Sequence, residues 1–270
     1  TGRAPDFDEL PVQYADYTLW QADLLGDAGD PGSEIAKQTG YWVSQLAGIP
    51  ERVSLPTDRP YPSVASTQGR VDMFMFPPAL YGRIQQVAAA SGASVFMVLN
   101  AALAVLLNKL GAGEDIVVAT PTAGRGDDAL DDLVGFFVNT LVLRTDLTGN
   151  PSFTDLVRRT RETALNAYSH QDIPFDALVD VLAPERSLAH TPIYQVMLAW
   201  ENNQAPALEL PGLTATALPA STGTAQTDLS ITLSESADSD GDTGLAVWVE
   251  YRTDLFDQDT IAGWMGMWRR

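Results

Sequence analysis

Residues 134–144 read VGFFVNTLVLR, and the passage of this string from a glycine bend into an apolar run decides the fold. Gly135 precedes Phe136 and Phe137, so it marks a tight bend before a strand where backbone must approach closely. Val138–Thr145 predicts a β-strand. Asn139 lies inside that strand, where an amide is costly unless it is hydrogen-bonded. A hydrogen bond that fixes a bend accounts for it more simply than direct contact with a substrate.

Working toward the N-terminus, Asp115–Thr120 predicts a short apolar strand. Ahead of it, Val95–Leu110 predicts a helix that Ser94 can cap and Gly111 ends. That helix is apolar almost all round, which buries it against a sheet. Pro78–Ala90 predicts a helix with Leu80, Ile84 and Val87 on one face. Arg70–Phe76 predicts a half-buried strand with Val71, Met73 and Met75 inward and Arg70 and Asp72 outward. Ile49–Gly69 carries prolines at 50, 56, 60 and 62 and reads as a connector along the surface. Ile35–Leu46 and Val12–Leu25 predict two further helices.

Toward the C-terminus, Asn150-Pro151-Ser152 opens a helix over Phe153–Ser169. Pro174 interrupts, and Phe175–Leu182 turns helical again. Strands are expected at Ile193–Trp200, Asp228–Ser234 and Leu245–Tyr251, with a last helix over Gln258–Trp268. Strands and helices intermix throughout with no internal repeat, which predicts an α/β fold with a mixed sheet and packed helices.

The composition bounds the function. The chain has 270 residues, 45% of them apolar, enough for a substantial core. Sixteen Lys and Arg stand against 35 Asp and Glu, a formal net charge of -19. That surplus of anions argues against nucleic acid and against an anionic membrane as partners. Only Lys37 and Lys109 are lysines, a bias of high-GC bacterial genes, with halophilic adaptation the rival account of the acidity. No cysteine is present, so disulfides, thiolate metal sites and cysteine nucleophiles are excluded. The longest apolar run, Val95–Leu107, is broken by Asn100 and falls short of the ~20 residues that cross a bilayer. The N-terminus begins at Thr1 without an apolar leader, and reads as that of an excised or processed piece.

The chemistry-bearing residues are few. The two histidines are His170 and His190. His170 follows a helix and precedes Gln171, Asp172 and Pro174, so its expected role is contact with the last helical carbonyls rather than catalysis. Neither histidine has a motif-supported serine nearby, so no hydrolase arrangement stands. Asp238, Asp240 and Asp242 do not form a calcium loop, because the glycine is misplaced and the twelfth position is Val249; a solvated hairpin loop is expected, and no metal. The glycines at 111, 113, 124 and 126 form no phosphate-binding loop. Arg158, Arg159 and Arg161 make one basic cluster, a face that could meet an acidic partner but that pairing with Asp155 already explains.

Five strings in order resemble the condensation domains of nonribosomal peptide synthetases: VQYADYTLWQ from Val12, TPTAGR from Thr120, VGFFVNTLVLR, HQDIPFD from His170 and RSLAHTPIYQVMLAW from Arg186. The HHxxxDG string that supplies the active-site histidine in that family is absent from the chain. The resemblance therefore implies the C-terminal lobe of a chloramphenicol-acetyltransferase-like domain. Residues 1–11 would be the remnant of an inter-lobe linker, 12–256 the lobe proper and 257–270 a C-terminal helix.

It implies amide formation between a donor acyl or peptidyl thioester and an acceptor aminoacyl thioester. No cofactor would bind directly; the phosphopantetheine arms of carrier domains would bring both substrates. The missing N-terminal lobe, peptidyl carrier domains and an adenylation domain are the implied partners, in a cytoplasmic bacterial synthetase for an antibiotic or siderophore. No catalytic residue is expected in this chain, and the chain alone is expected to be inactive. Arg125, Asn139 and Asp228 are the candidates for the inter-lobe channel. Arg125 is assigned a pairing with the aspartate of HHxxxDG, or, without it, solvent or an acidic neighbour such as Asp127 or Asp128; an ordinary surface salt bridge competes. Asp228 would cap or anchor the segment crossing to the other lobe. Gln204–Ala225 would lose order when that lobe is absent. Gly135, Arg144, His170, Gln171, Asp172, Pro174 and Phe175 are structural, with Phe175 as a core plug. An epimerisation or recruitment lobe, which shares the fold, is the rival within transferases, and a noncatalytic carrier-binding scaffold the rival from another class.

Overall fold

A computed structural model describes residues 9–185, 187–201, 213, 220–237 and 241–270. Arg186, Asp238, Asp240 and most of Gln204–Ala225 lie outside the described residues, as do residues 1–8 of the expected linker remnant. The chain divides into two compact units. Unit 1 comprises Thr1–Ala47, Pro121–Leu141 and Tyr168–Ala183; unit 2 comprises Gly48–Thr120, Val142–Ala167 and Pro184–Arg270.

Unit 2 is built on strands of a six-stranded mixed sheet: β1 (Gly69–Phe76), β2 (Asp115–Thr122), β3 (Asn139–Asp146), β4 (Val196–Glu201), β5 (Leu229–Ala237) and β6 (Thr243–Arg252), in the order β1-β6-β5-β4-β2-β3. β6 pairs antiparallel with both β1 and β5, whereas β4 is parallel to β5 and to β2. Leu229, Ile231 and Leu233 are each at most 1% exposed, the period of two expected when one face of a strand meets the core. Unit 2 also holds α3 (Pro78–Ala90), α4 (Val95–Lys109), α5 (Phe153–Tyr168) and α7 (Gln258–Trp268); α3 packs on β6 and on α4, and α4 packs on α7. Ser94 Oγ accepts the Met97 amide at 3.2 Å to start α4, and Gly111, at φ +97°, follows its end. Ten residues of α4 are buried, which accounts for its nearly uniform apolarity.

The arginine cluster on α5 is consumed locally: Arg158 meets Asp155 at 3.6 Å and Glu162 at 3.3 Å, Arg159 meets Asp146 at 3.6 Å, and Arg161 donates to the Gly92 carbonyl at 2.7 Å. Arg144 closes a two-bond fork on Asp115, at 2.9 and 2.8 Å, bracing β3 against the start of β2.

Three expectations are corrected here. In β1, Met73 and Met75 are exposed while Phe76 is buried; Asp72 turns inward, because the Tyr251 hydroxyl at 2.8 Å and Arg70 at 3.0 Å satisfy it. In α3 the buried stripe runs through Tyr81 and Ala88, and Val87 is exposed; the Tyr81 hydroxyl is drawn to Glu235, which pushes its pKa, already raised by burial, up to about 12. β4 begins at Val196 rather than Ile193, since Ile193 has φ +71° and cannot sit in a strand.

Unit 1 contains α1 (Tyr14–Leu25), α2 (Glu34–Gln45), a short 3₁₀ turn at Asp128–Leu130 and α6 (Phe175–Leu182). Ser33 Oγ caps α2 by accepting the Ala36 amide at 3.2 Å. Leu130, Leu133 and Phe137 form a small core packed by Val12, Tyr14 and Tyr17 of the N-terminal segment.

Candidate functional site

The turn HQDIPF between Tyr168 and α6 is gripped from two sides, and both grips are side-chain amides. Asn139 Nδ2 donates to the carbonyls of Gln171 and Ile173, both at 2.8 Å, while its Oδ1 accepts the amides of Thr140 at 2.9 Å and Phe175 at 3.0 Å. All four hydrogen-bonding positions of one amide are used, so the structure brings Asn139 and HQDIPFD together as a fixed bend.

On the other side Gln38 of α2, 1% exposed, accepts the amides of Asp172 at 2.9 Å and Ile173 at 3.1 Å and donates to the Asp172 carboxylate at 2.8 Å. Trp42 Nε1 donates to the His170 carbonyl at 2.8 Å. Gln38 and Trp42 carry no local motif; the one sign in the sequence was a glutamine on the apolar face of an amphipathic helix, four residues before a tryptophan.

The His170 ring stacks on Tyr41, centroids 3.9 Å apart at 11°. Gln171 Oε1 accepts the Thr122 hydroxyl at 2.8 Å. Ile173, 3% exposed, fills the core beneath the turn. Phe175 is only half-buried, a correction to its expected place as the plug, since Ile173 already occupies the core at this turn.

Gly135 sits at a bend, and its constraint is space. A Cβ there would lie 2.2 Å from Cδ2 of the Tyr14 ring, while the Tyr14 hydroxyl donates to the Phe136 carbonyl at 2.8 Å. Gly124, at φ +63°, leaves a gap that a Cβ would close to 2.0 Å from the Phe137 carbonyl oxygen. Arg125 folds back over this loop. It donates to the Leu133 carbonyl at 2.7 Å and to the Leu130 carbonyl, reaches the Asp131 carbonyl at 3.4 Å, and lies 4.1 Å over the Phe137 ring. Its guanidinium is thus occupied by carbonyls and an aromatic face rather than by the Asp127 or Asp128 carboxylates.

These groups line a cleft of about 750 Å³ within unit 1, walled by α1, the 122–127 segment, the 136–140 strand entry and the Gln171–Asp176 turn. Tyr14, Tyr17 and Trp20 give it one aromatic wall, Phe136 and Phe175 contribute apolar surface, and Asp127, Asp172 and Asp176 place carboxylates at it. Burial raises the Tyr17 pKa, and Tyr14 and the Asp172 charge push it the same way. Neither histidine lines the cleft, so the lining supplies no imidazole base. Among the described residues no group of three or more His, Asp or Glu could hold a metal.

Asp228 is in unit 2 and is 1% exposed. It accepts the Tyr61 hydroxyl at 2.6 Å and Arg252 at 3.1 Å, and its own carbonyl accepts the Arg252 amide. Burial raises its pKa against the opposing pull of Tyr61 and Arg252. His190 lies beside this network, donating from Nδ1 to the Thr191 carbonyl at 3.0 Å with Nε2 3.5 Å from Glu51. The network is a closed structural one, anchoring the start of β5 to the end of β6. No single helix among the described residues is long and apolar enough to cross a membrane.

The chain matches the condensation domain family over residues 3–270. It is 52% identical over 269 residues to a probable non-canonical nonribosomal peptide synthetase, CymA, of Salinispora arenicola, covering 100% of this chain and 3% of that protein. It is 50% identical over 261 residues to the isonitrile lipopeptide synthase of Mycobacterium tuberculosis, covering 96% of this chain and 10% of that protein. Among solved structures, the X-domain from teicoplanin biosynthesis superposes with a TM-score of 0.91 at 33% identity, over 100% of this chain and 60% of that one. The chain therefore spans a small part of its curated relatives and somewhat over half of this solved domain. With its mixed sheet, its helices and the cleft built from VGFFVNT and HQDIPFD, it belongs to the condensation domain family of nonribosomal peptide synthetases.

Proposed function

We propose that the chain is the C-terminal lobe of a two-lobed condensation domain, and that it forms an amide only together with an upstream lobe carrying HHxxxDG. The observation that carries this reading is full coverage of the chain at partial length of the solved relative, 100% against 60%, in a sequence that lacks the histidine string.

In this reading the cleft of unit 1 is one wall of the reaction channel. The acceptor amine attacks the donor thioester carbonyl and a C–N bond forms. The tetrahedral oxyanion collapses and the C–S bond breaks. Sulfur leaves as the thiol of the donor carrier's phosphopantetheine arm, taking up the proton that the amine gives up. The upstream imidazole orients the amine or moves its proton. Asn139 holds the wall rigid by tying the strand entry to the HQDIPFD turn. Arg125 braces the loop of residues 126–133 through three carbonyls, so its contribution to any pairing with the upstream aspartate is to present a preorganised loop. Asp228 fixes β5 to β6 from within. Carrier and adenylation domains of the same synthetase are the partners, and the chain alone is inactive.

The test is condensation by the two-lobed protein with loaded donor and acceptor carriers, read as the mass shift of the acceptor carrier. Substituting the second histidine of the upstream string should abolish product, whereas His190→Ala in this chain should retain most of it. Loss of turnover on His190→Ala in a folded protein, with turnover surviving the upstream substitution, contradicts the assignment.

A further inference from the structure

We infer that the cleft of unit 1 selects cationic over anionic ligands; resting on the reading above, it favours acceptors with basic or neutral aromatic side chains and disfavours acidic ones. The cleft's ionised groups are three carboxylates, Asp127, Asp172 and Asp176, and one guanidinium, Arg125. They are not equally available. Arg125 is directed into its own loop, at the carbonyls of Leu130, Asp131 and Leu133 and the face of Phe137, so its guanidinium already serves main-chain oxygens and an aromatic face. Asp127 and Asp172 accept hydrogen bonds from neutral groups, the Ala129 amide at 2.9 Å and the Gln38 side chain at 2.8 Å, not from a cation. Asp176, exposed in the first turn of α6, meets no hydrogen-bond or ion-pair partner among the described residues.

Opposite these carboxylates stands an aromatic row on one face of α1, Tyr14, Tyr17 and Trp20, with successive ring centroids 5.9 and 6.0 Å apart. Trp20 is 56% exposed. An aromatic face attracts an ammonium or guanidinium group and repels a carboxylate, and the uncompensated carboxylates act in the same direction. The walls and the charges therefore discriminate by the sign of the ligand's charge while leaving an apolar body room to stack.

The probes are phenylalanine amide as the cation, N-acetylphenylalanine amide as the neutral form and 3-phenylpropionate as the anion, titrated into the full chain with amide chemical shifts as readout. The cation should perturb Tyr17, Trp20 and Asp176 and bind at least about fivefold more tightly than the anion, with the preference shrinking as salt is raised. Asp176→Asn should weaken the cation by about two- to fivefold, the range of an exposed ion pair. Asp180→Asn, on the same helix but away from the cleft lining, removes the same net charge and should leave binding unchanged. Equal or tighter binding of the anion, no binding of the cation, or equal losses from the two substitutions would overturn the inference. The readout is independent of amide formation. Discrimination without condensation in the two-lobed protein sinks the proposed function and spares this inference, and condensation without discrimination does the reverse.

Discussion

Asn139→Ala removes the whole bracket between the strand entry and the HQDIPFD turn. Four hydrogen bonds of 2.8–3.0 Å are lost. At about 0.5–1.5 kcal/mol each they bracket about 2–6 kcal/mol. The side chain is half-buried, so water re-solvates some of the freed groups and the lower part of that range, about 2–4 kcal/mol, is expected. Urea denaturation followed by tryptophan fluorescence gives the global number. Amide hydrogen exchange locates it, because the Thr140 and Phe175 amides lose their acceptor and should exchange faster while amides in β5 and β6 keep their protection. Asn139→Asp sharpens the test: it retains the acceptor but sets a carboxylate against the carbonyls of Gln171 and Ile173. Its stability deficit should therefore be larger at neutral pH than in acid, where the protonated carboxyl can donate one bond. A loss below about 1 kcal/mol for Asn139→Ala, with Phe175 still protected, refutes the bracket as the organiser of this site.

Further outcomes follow from other parts of the fold. Both side-chain polar atoms of Asn100, on the fully buried face of α4, lack a hydrogen-bond partner among the described residues, so near-isosteric Asn100→Leu should stabilise by about 1–3 kcal/mol, and a lower denaturation midpoint would contradict this. Gly135→Ala should cost about 1–3 kcal/mol by forcing the Tyr14 ring aside, and the cost should shrink in a Tyr14→Ala background; a double-mutant cycle showing independent effects counts against the contact. The Asp254 carboxylate is raised by burial but brought below its ordinary pKa by Arg252, at 2.6 Å, and the Ser66 amide. Its stabilisation is present above the unfolded carboxylate value of about 4 and lost as pH falls through the lowered folded one. Asp254→Asn should thus cost stability at pH 7 and little at pH 2; parallel pH profiles for the two proteins would exclude it. Arg252→Met leaves the buried Asp228 charge without its cation and should cost about 3–5 kcal/mol, with Asp228→Asn recovering part of it in the same denaturation assay.

The order of helices and strands was legible because it is written in local periodicity and in caps such as Ser94, which act within one turn. The bend at Gly135 and the demand of Asn139 for partners were legible too, since a missing Cβ and a strand-borne amide each state a requirement. Their partners were not: Tyr14 lies 121 residues from Gly135 and Gln38 lies 134 residues from Asp172, and single-sequence patterning carries no information across such spans. The faces of β1 and α3 were misjudged for a different reason. Alternation fixes that two faces exist, but the Tyr251 and Tyr81 hydroxyls, each bonded to a carboxylate on another element, decide which one turns inward. Ile173 fills the core while Phe175 lines the cleft, because residue size alone does not say which of two near neighbours turns inward. Arg125 illustrates the same limit, since a surface arginine and a loop brace look identical until the carbonyls of Leu130 and Leu133 are placed beside it.

The central claim is that this chain holds one wall of a two-walled reaction channel and that the reacting imidazole comes from the other. The most direct measurement is the mass of a loaded acceptor carrier after incubation with loaded donor carrier and this chain, alone and then mixed with the HHxxxDG-bearing upstream segment. Product in the mixture and none with the chain alone is the expected result. Amide formation catalysed by the 270 residues by themselves would contradict the claim.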